Sequence, residues 1–489
     1  MSMLKTISLE NYKCFKEKTD IEIAPLTILC GINSSGKSSI INSLLLQKQS
    51  YEDSSISNNM KLNGEYVKSG RFKDMSFQRI EEPISFTTSY ILNKPLEYRK
   101  TIKKPSKHDI TTWKNLSKIY SKFNINYIKI TSSISLEQYD EKKYINDNIL
   151  LSQEATIEVT YNTTEKLHSS IKLKKLKNQS NKYMVIFDNI PDSDTGEIFK
   201  HVELRDAACY FENFNLINAF STNIRPIGTH ISGLLSSTYL ILKMIALQFK
   251  NIHYLTPLRG YPERNYILNT ETDDVGLSGE FTPYIMHKYK DSNINGFLPP
   301  INDKVIPYNH RINFSLCVQQ WMNYLHFGNY TLENALETIQ LNIKDYNISN
   351  VGFGVSQVLP IIVSGLVKYE NELLLLEQPE IHLHPSAQMC MADFLLSMAI
   401  NNKGVIVETH SDHIINRLVR RMMEDSSINS KVKIYFIDQN NNGISSVEEI
   451  YVDPIRGVLN DNENFFTQFA SETEKIINTS FLNKSKEKL

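Results

Sequence analysis

The 489-residue sequence predicts an α/β fold: a mostly parallel sheet with flanking helices, an N-terminal antiparallel portion and a large mixed α/β insertion. Three observations carry this expectation. A glycine-rich loop, Gly31-Ile32-Asn33-Ser34-Ser35-Gly36-Lys37-Ser38, stands between a strand pattern and a helix pattern. Late in the chain, apolar strand patterns alternate with helical ones. Between these regions the pattern changes to short alternating runs.

In chain order, Lys5–Tyr12 and Asp20–Ile23 alternate apolar and polar residues with period two and predict two antiparallel strands. Leu26–Cys30 reads as a buried strand, and Ser39–Leu46 has the apolar spacing of a helix. From about Tyr51 to Asn347, runs such as Ala155–Tyr161 are interleaved with Lys-, Asn- and Ser-rich stretches, with loops expected near Lys104 and Asn178. Neither a fixed-period repeat nor sustained heptads are present, so coiled-coil arms are not expected. Leu234–Phe249 is apolar but interrupted by Ser236, Ser237 and Lys243, and it suits a buried helix better than a bilayer span. Tyr254–Arg264 is dense in Gly, Pro and Arg, which suits a turn held by arginine at least as well as a ligand site. The core signals return with strands Glu372–Glu377 and Gly404–His410 and helices Ser386–Ile400 and Asp412–Glu424. Lys433–Asp438 and Ser446–Val452 read as a hairpin turned at Asn440–Gly443. The expected domains are therefore a discontinuous core of 1–50 plus 341–455, an insertion of 51–340 carrying partner or DNA contacts, and a helical tail of 456–489.

Composition excludes several function classes. Hydrophobic residues make up 41% and charged residues 22%, ordinary for a globular protein. Fifty-three basic residues face 54 acidic ones, so any DNA contact must come from a local patch. The most basic short stretch, Lys172–Lys182, is interrupted by Leu173 and Leu176, as in a strand with one solvated face. Five scattered cysteines without a C-x-x-C pair suit reduced thiols in a cytoplasm, and no membrane segment is expected.

The loop matches the phosphate-binding pattern G-x-x-x-x-G-K-[ST]. Its glycines let the backbone curl until its N–H groups face phosphate oxygens, and the next helix adds its positive end. The expected nucleotide contacts are Asn33, Ser34, Ser35, Gly36, Lys37, Ser38 and Ser39. Lys37 would reach the β- and γ-phosphates of ATP, and the Ser38 hydroxyl would join the shell of Mg²⁺. Such a loop needs a carboxylate at a neighbouring strand end, and Glu377 is the expected metal-side acid. His382 and His384, two apart beside Pro385, suit a turn better than a zinc site.

At this point a resemblance becomes specific. Ile7–Phe15 followed by Pro25–Ser39 resembles the opening of ABC-type ATPases of the RecF, SMC and overcoming-lysogenization-defect group. Pro257–Gly260, Gly352–Gln357, Glu377–Pro385 and Tyr435–Asp438 resemble AAA-family ATPases carrying the DUF3696 region, which include the ATPase subunit of Septu antiphage systems and of related retrons. The resemblance implies an ABC-type core in which the loop of one subunit faces the signature segment Val351–Pro360 of another, giving head-to-tail ATPase dimers. It implies signature contacts at Gly354, Ser356 and Gln357, with Ser356 expected to cap a helix Gln357–Val367, and a switch histidine at His410. Two positions depart from the pattern: Gly354 replaces serine, and Gln378 stands where an acid polarises the attacking water. Glutamine can orient water but cannot take a proton; Glu380 is the candidate substitute, although two residues on it is expected to face elsewhere. Hydrolysis is therefore expected to be slow or absent, with ATP acting chiefly as a conformational ligand. Only 79 residues follow His410 (489 − 410), leaving little room for a nuclease domain, and Asp438 and Glu448 suit a solvated hairpin. The resemblance thus implies an ATPase subunit of a bacterial antiphage complex whose DNA cleavage comes from a separate HNH-type endonuclease. A RecF-like DNA-repair ATPase and an assembly scaffold remain the alternatives.

Overall fold

A computed structural model describes residues 2–52, 59–80, 82–93, 127–138, 150–161, 168–176, 182–191, 198–212, 215–220, 223–225, 244–268, 272–335, 337–367 and 372–459. The expected loops near Lys104 and Asn178, most of the stretch Leu234–Phe249, and the tail beyond Leu459 lie outside them.

Six strands form the central sheet, in the order Ile252–Leu255, Leu373–Glu377, Gly404–Glu408, Leu26–Gly31, Val432–Gln439 and Ser445–Ile450. The first five run parallel, and the last closes an antiparallel hairpin. Parallel strands covered on both faces read as continuous apolar runs, which is why Leu373–Leu376 and Val405–Val407 show no alternation. Their side chains nevertheless divide between two cores. Leu375, Ile406, Tyr435 and Ile437 pack on one side with Ile40, Ile41, Leu44 and Leu45 of the helix Lys37–Glu52. On the other side, Leu374, Leu376, Val405, Val407, Ile434 and Phe436 meet the helices Phe314–Tyr324, Phe353–Val367, Pro385–Ile400 and Asp412–Glu424.

A second, antiparallel sheet carries eleven strands among the described residues. The strand Ser2–Glu10 lies between Thr19–Glu22 and Ile84–Asn93, and successive hairpins continue outward to Asn215–Phe220. In the strand His168–Lys175, Ile171 and Leu173 are buried while Lys172 and Lys174 are exposed, as one solvated face requires. The sheets do not respect the boundary expected at residues 50 and 341. The N-terminal strands belong to the lobe sheet, and Ile252–Leu255, well inside the expected insertion, pairs with Leu373–Leu376 in the central sheet. The reason is register over long range: a four-residue strand, Ile-His-Tyr-Leu, carries no mark of which sheet it will join.

Two of the core helices start at side-chain caps. His384 accepts from the Ser386 N–H and Pro385 takes the first turn, so this histidine terminates a loop as expected. Ser411 accepts from the Ile414 N–H at 3.1 Å. The two helices are tied by Asp393, which is fully buried. It accepts from Arg421 Nε at 2.8 Å, Arg417 Nη2 at 2.7 Å and the Tyr324 hydroxyl at 2.6 Å. Burial alone would raise this carboxyl, but the hydrogen bonds from Arg421, Arg417 and Tyr324 outweigh it and hold its pKa below the usual carboxylate range. Removing one partner of such a pair leaves buried charge uncompensated, so Asp393→Ala is expected to destabilise the fold by about 3–5 kcal/mol in denaturant unfolding. Because the folded pKa is depressed, this contribution is complete above the unfolded value near about 4 and fades as pH falls through the folded one. The wild type should therefore lose stability below that pH faster than Asp393→Ala does.

Candidate functional site

The loop strand Leu26–Gly31 ends at the C-terminal edge of the parallel sheet, where α/β proteins bind ligands. Gly31 adopts φ +135°, and a Cβ there would lie 2.0 Å from the Ile437 carbonyl oxygen, so only glycine lets the chain leave the sheet here. Ile32, Asn33 and Ser34 are exposed at the tip. Ser35 is buried, and its carbonyl accepts from the Ser445 hydroxyl at 2.6 Å. Gly36, at φ +105°, lies against Cys14. Lys37, Ser38 and Ser39 open the helix Lys37–Glu52, so the loop's amides and the helix's positive end share one concavity. Lys37 Nζ donates to the carbonyls of Gly31 at 3.1 Å and Ile32 at 2.5 Å. Burial lowers its pKa, opposed by Glu408.

Three carboxylates converge on this concavity. Glu377 and Glu408 end adjacent parallel strands and are direct register partners. Glu377 Oε1 accepts from the Tyr254 hydroxyl at 2.7 Å. Burial raises its pKa against the pull of Tyr254, Arg259 and Lys13. Glu408 Oε1 accepts from the Ser38 hydroxyl at 2.9 Å, and burial pushes its carboxyl up to about 7. Glu380 does not face elsewhere. The chain reverses at Gln378, φ +46°, and at His382, φ +62°, and Glu380 Oε1 accepts from the His410 N–H at 2.7 Å. The tight turn brings back a residue that a continued strand would have carried away. His410 keeps part of its surface in solvent, and partial desolvation followed by the nearby Lys37 charge lowers its pKa. Gln378 donates its N–H to the Glu408 carbonyl at 2.7 Å.

The signature segment is joined to these acids through one buried arginine. Gln357 accepts from the Arg259 N–H at 3.0 Å and donates to the Arg259 carbonyl at 3.1 Å. The Arg259 guanidinium in turn donates to the carbonyls of Glu377 at 2.9 Å and Gln378 at 3.2 Å. Burial lowers the Arg259 pKa to about 10, opposed by Glu380 and Glu377. The arginine thus holds a turn, one of the two roles left open for Tyr254–Arg264. Ser356 does not cap the helix. The helix begins at Phe353, four residues earlier than expected, and the Ser356 hydroxyl donates to the Phe353 carbonyl at 2.8 Å inside the first turn. Gly354 packs on the turn after Glu377, where a Cβ would lie 2.9 Å from the His382 carbonyl oxygen.

Loop, paired strand-end acids and helix N-terminus make a phosphate site of P-loop type. The family model described as "AAA ATPase domain" matches residues 3–415. The chain belongs to the AAA ATPase domain family. Comparison with curated proteins gives no match. Among solved structures, the chain is similar to an Smc head bound to the C-terminal winged-helix domain of ScpA, at 12% identity and TM-score 0.39, over 92% of this chain and 98% of that one. It is also similar to the SMC head domain from Thermotoga maritima, at 11% identity and TM-score 0.35, over 92% of this chain and 100% of that one.

Within this AAA ATPase domain the structure brings together Lys37, Ser38, Glu377, Gln378, Glu380 and His410. Gly354, Ser356 and Gln357 stand apart, against the His382 turn and Arg259. The residues given no place at the nucleotide site by the sequence are Glu408, Tyr254 and Arg259. A carboxylate ending a strand otherwise made only of Gly, Val and Ile was the available signal for Glu408; nothing local marks Tyr254. Among the described residues, no group of three or more His, Cys, Asp or Glu side chains could hold a metal by itself. A Mg²⁺ ion brought in with nucleotide phosphates needs only one or two carboxylates, which the site has. No helix among the described residues is long and apolar enough to cross a membrane.

Proposed function

We propose that this ATPase binds ATP with Mg²⁺ between two head-to-tail copies and uses the nucleotide state to regulate DNA cleavage by a separate HNH-type nuclease, as a subunit of a Septu-like bacterial antiphage complex in the cytoplasm. The observation that carries the nucleotide part is the loop at the parallel sheet edge, with Ser38 hydrogen-bonded to a strand-end carboxylate. The loop residues Asn33–Ser39 supply the phosphate contacts, and Gly354, Ser356 and Gln357 supply the facing surface from a second copy. Gln378, fixed by its backbone between Glu408 and Arg259, orients water without accepting its proton. Glu380 Oε1 accepts from the His410 N–H, so this acid links the switch segment to the acid strand. Nucleotide therefore persists, and its presence is the signal.

The antiphage part rests on the sequence phrases around Arg259, Gly354 and Glu377. The test is purification of the chain together with the product of any adjacent nuclease gene, followed by DNA cleavage with no nucleotide, with ATP and with a slowly hydrolysed analogue. Co-purification and a cleavage rate that changes at least about tenfold with nucleotide, equally for ATP and analogue, are expected. An isolated chain that binds DNA ends with ATP-dependent affinity and carries no nuclease would instead favour the RecF-like repair reading.

A further inference from the structure

We infer that a hollow beside the signature helix, lined by Tyr261, Tyr266, Phe281 and Tyr284 and by the acids Glu263 and Glu280, receives Arg71 and Lys73 of a second copy of this chain. The inference rests on the head-to-tail dimer proposed above and names a charged contact that fixes its register.

The chemistry of the hollow sets the class of its occupant. It encloses about 640 Å³, and no Lys, Arg or His among the described residues lines it. Glu280 Oε2 accepts from the Ser278 N–H at 2.9 Å and from its hydroxyl at 2.7 Å, and the Tyr266 hydroxyl accepts from the Glu263 N–H at 2.9 Å, which ties the Glu263 backbone to the wall. Tyr261 is 82% exposed, with its ring edge-on to Phe353 of the signature helix at 4.9 Å between centroids. Carboxylates beside open aromatic faces attract guanidinium and ammonium groups, and exposed tyrosines of this kind carry much of the energy of protein interfaces. Ser356 and Pro360 also line the hollow. Pro360 has no N–H to return to the Ser356 carbonyl, so that acceptor lacks its helical donor. The rim packs directly on this helix: a Cβ at Gly279 would lie 2.4 Å from Pro360 Cγ.

The complementary charge surrounds the phosphate-binding loop. Residues 13–18 and 71–79 hold six basic and two acidic side chains, in a chain whose formal net charge is −1. The two segments are joined, because the Lys13 N–H donates to the Met75 carbonyl at 2.6 Å and Tyr12 bridges Ser76. Both border the loop through Cys14, which lies against Gly36. Arg71 and Lys73 are exposed on this border. A head-to-tail dimer sets the signature face of one copy on the loop face of the other, so each of its two interfaces would join one acidic hollow to one basic border. Such complementarity steers association and fixes register.

The test is sedimentation equilibrium with Mg²⁺ and a slowly hydrolysed ATP analogue. Its samples are wild type, a hollow variant Glu263→Lys/Glu280→Lys, a border variant Arg71→Glu/Lys73→Glu, and an equimolar mixture of the two variants. Each variant alone is expected to dimerise at least tenfold more weakly than wild type, because both of its interfaces then oppose like charges. The mixture should return to within threefold of wild type, since both interfaces of the mixed dimer join opposite charges. Analogue binding by each variant as a monomer shows that it is folded, and the milder pair Glu263→Lys and Lys73→Glu repeats the mixing experiment should a double variant fail that check. A mixture no tighter than its separate components, or either double variant dimerising as wild type does, overturns the contact. A wild type that binds the analogue but stays monomeric overturns the head-to-tail reading itself, so the two failures are distinct.

Discussion

With Lys37 replaced by alanine, ATP affinity is expected to fall by about 100-fold or more in calorimetric titration. The Lys37 ammonium lies over the loop, within reach of the Gly31 and Ile32 carbonyls, and it is the charged donor at the mouth of a helix N-terminus. Hydrogen bonds between charged partners contribute about 1.5–3 kcal/mol each, and about 2.7 kcal/mol is a factor of 100. The fold should survive, because the ammonium's acceptors border the exposed loop tip and because burial already penalises its charge. Cooperative thermal unfolding near the wild-type midpoint is the control. Affinity within threefold of wild type would remove Lys37 from the phosphate site.

The opposite change in rate is expected from Gln378→Glu. Its backbone is clamped on both sides, N–H to Glu408 and carbonyl to Arg259, so the substitution swaps an amide for a carboxylate at a fixed Cα. A carboxylate there would sit among Glu377, Glu380 and Glu408, and like charges raise its pKa toward the range of a useful base. A positioned base contributes roughly 10²- to 10⁴-fold, so steady-state phosphate release should rise by about that factor. Rapid release by the wild type, with no gain in Gln378→Glu, defeats the idea that this ATPase retains its nucleotide.

Much of this site was legible from local pattern because its parts are local. The loop, its strand and its helix are contiguous, and the helices after Glu377 and His410 carry their own caps at His384 and Ser411. What escaped depends on partners distant in sequence. Ile252–Leu255 joins the central sheet only because Leu373–Leu376 lies beside it, and Arg259 matters only because Gln357 and Glu377 meet it. Glu380 was expected to point away because strand periodicity was continued past Glu377, whereas two left-handed residues, Gln378 and His382, reverse the chain. Ser356 was read as a cap because serine favours that role, but the helix starts at Phe353 and the hydroxyl turns back into its own first turn. Glu408 shows what register decides: its neighbour across the strands is Glu377, the acid that local pattern singles out, and only the fold shows which of the two reaches Ser38.

The position of the loop strand also bears on how the protein is made. Leu26–Gly31 is synthesised long before its two sheet neighbours, which begin at Gly404 and Val432. Until those strands have been synthesised, this apolar strand has neither flank covered, while the antiparallel lobe can close hairpin by hairpin as it appears. Unpaired apolar strands invite association with other chains, and long-range parallel pairing forms slowly. The loop strand thus waits on partners distant in sequence, and a nascent chain released before Val432 lacks part of the sheet that holds the phosphate-binding loop.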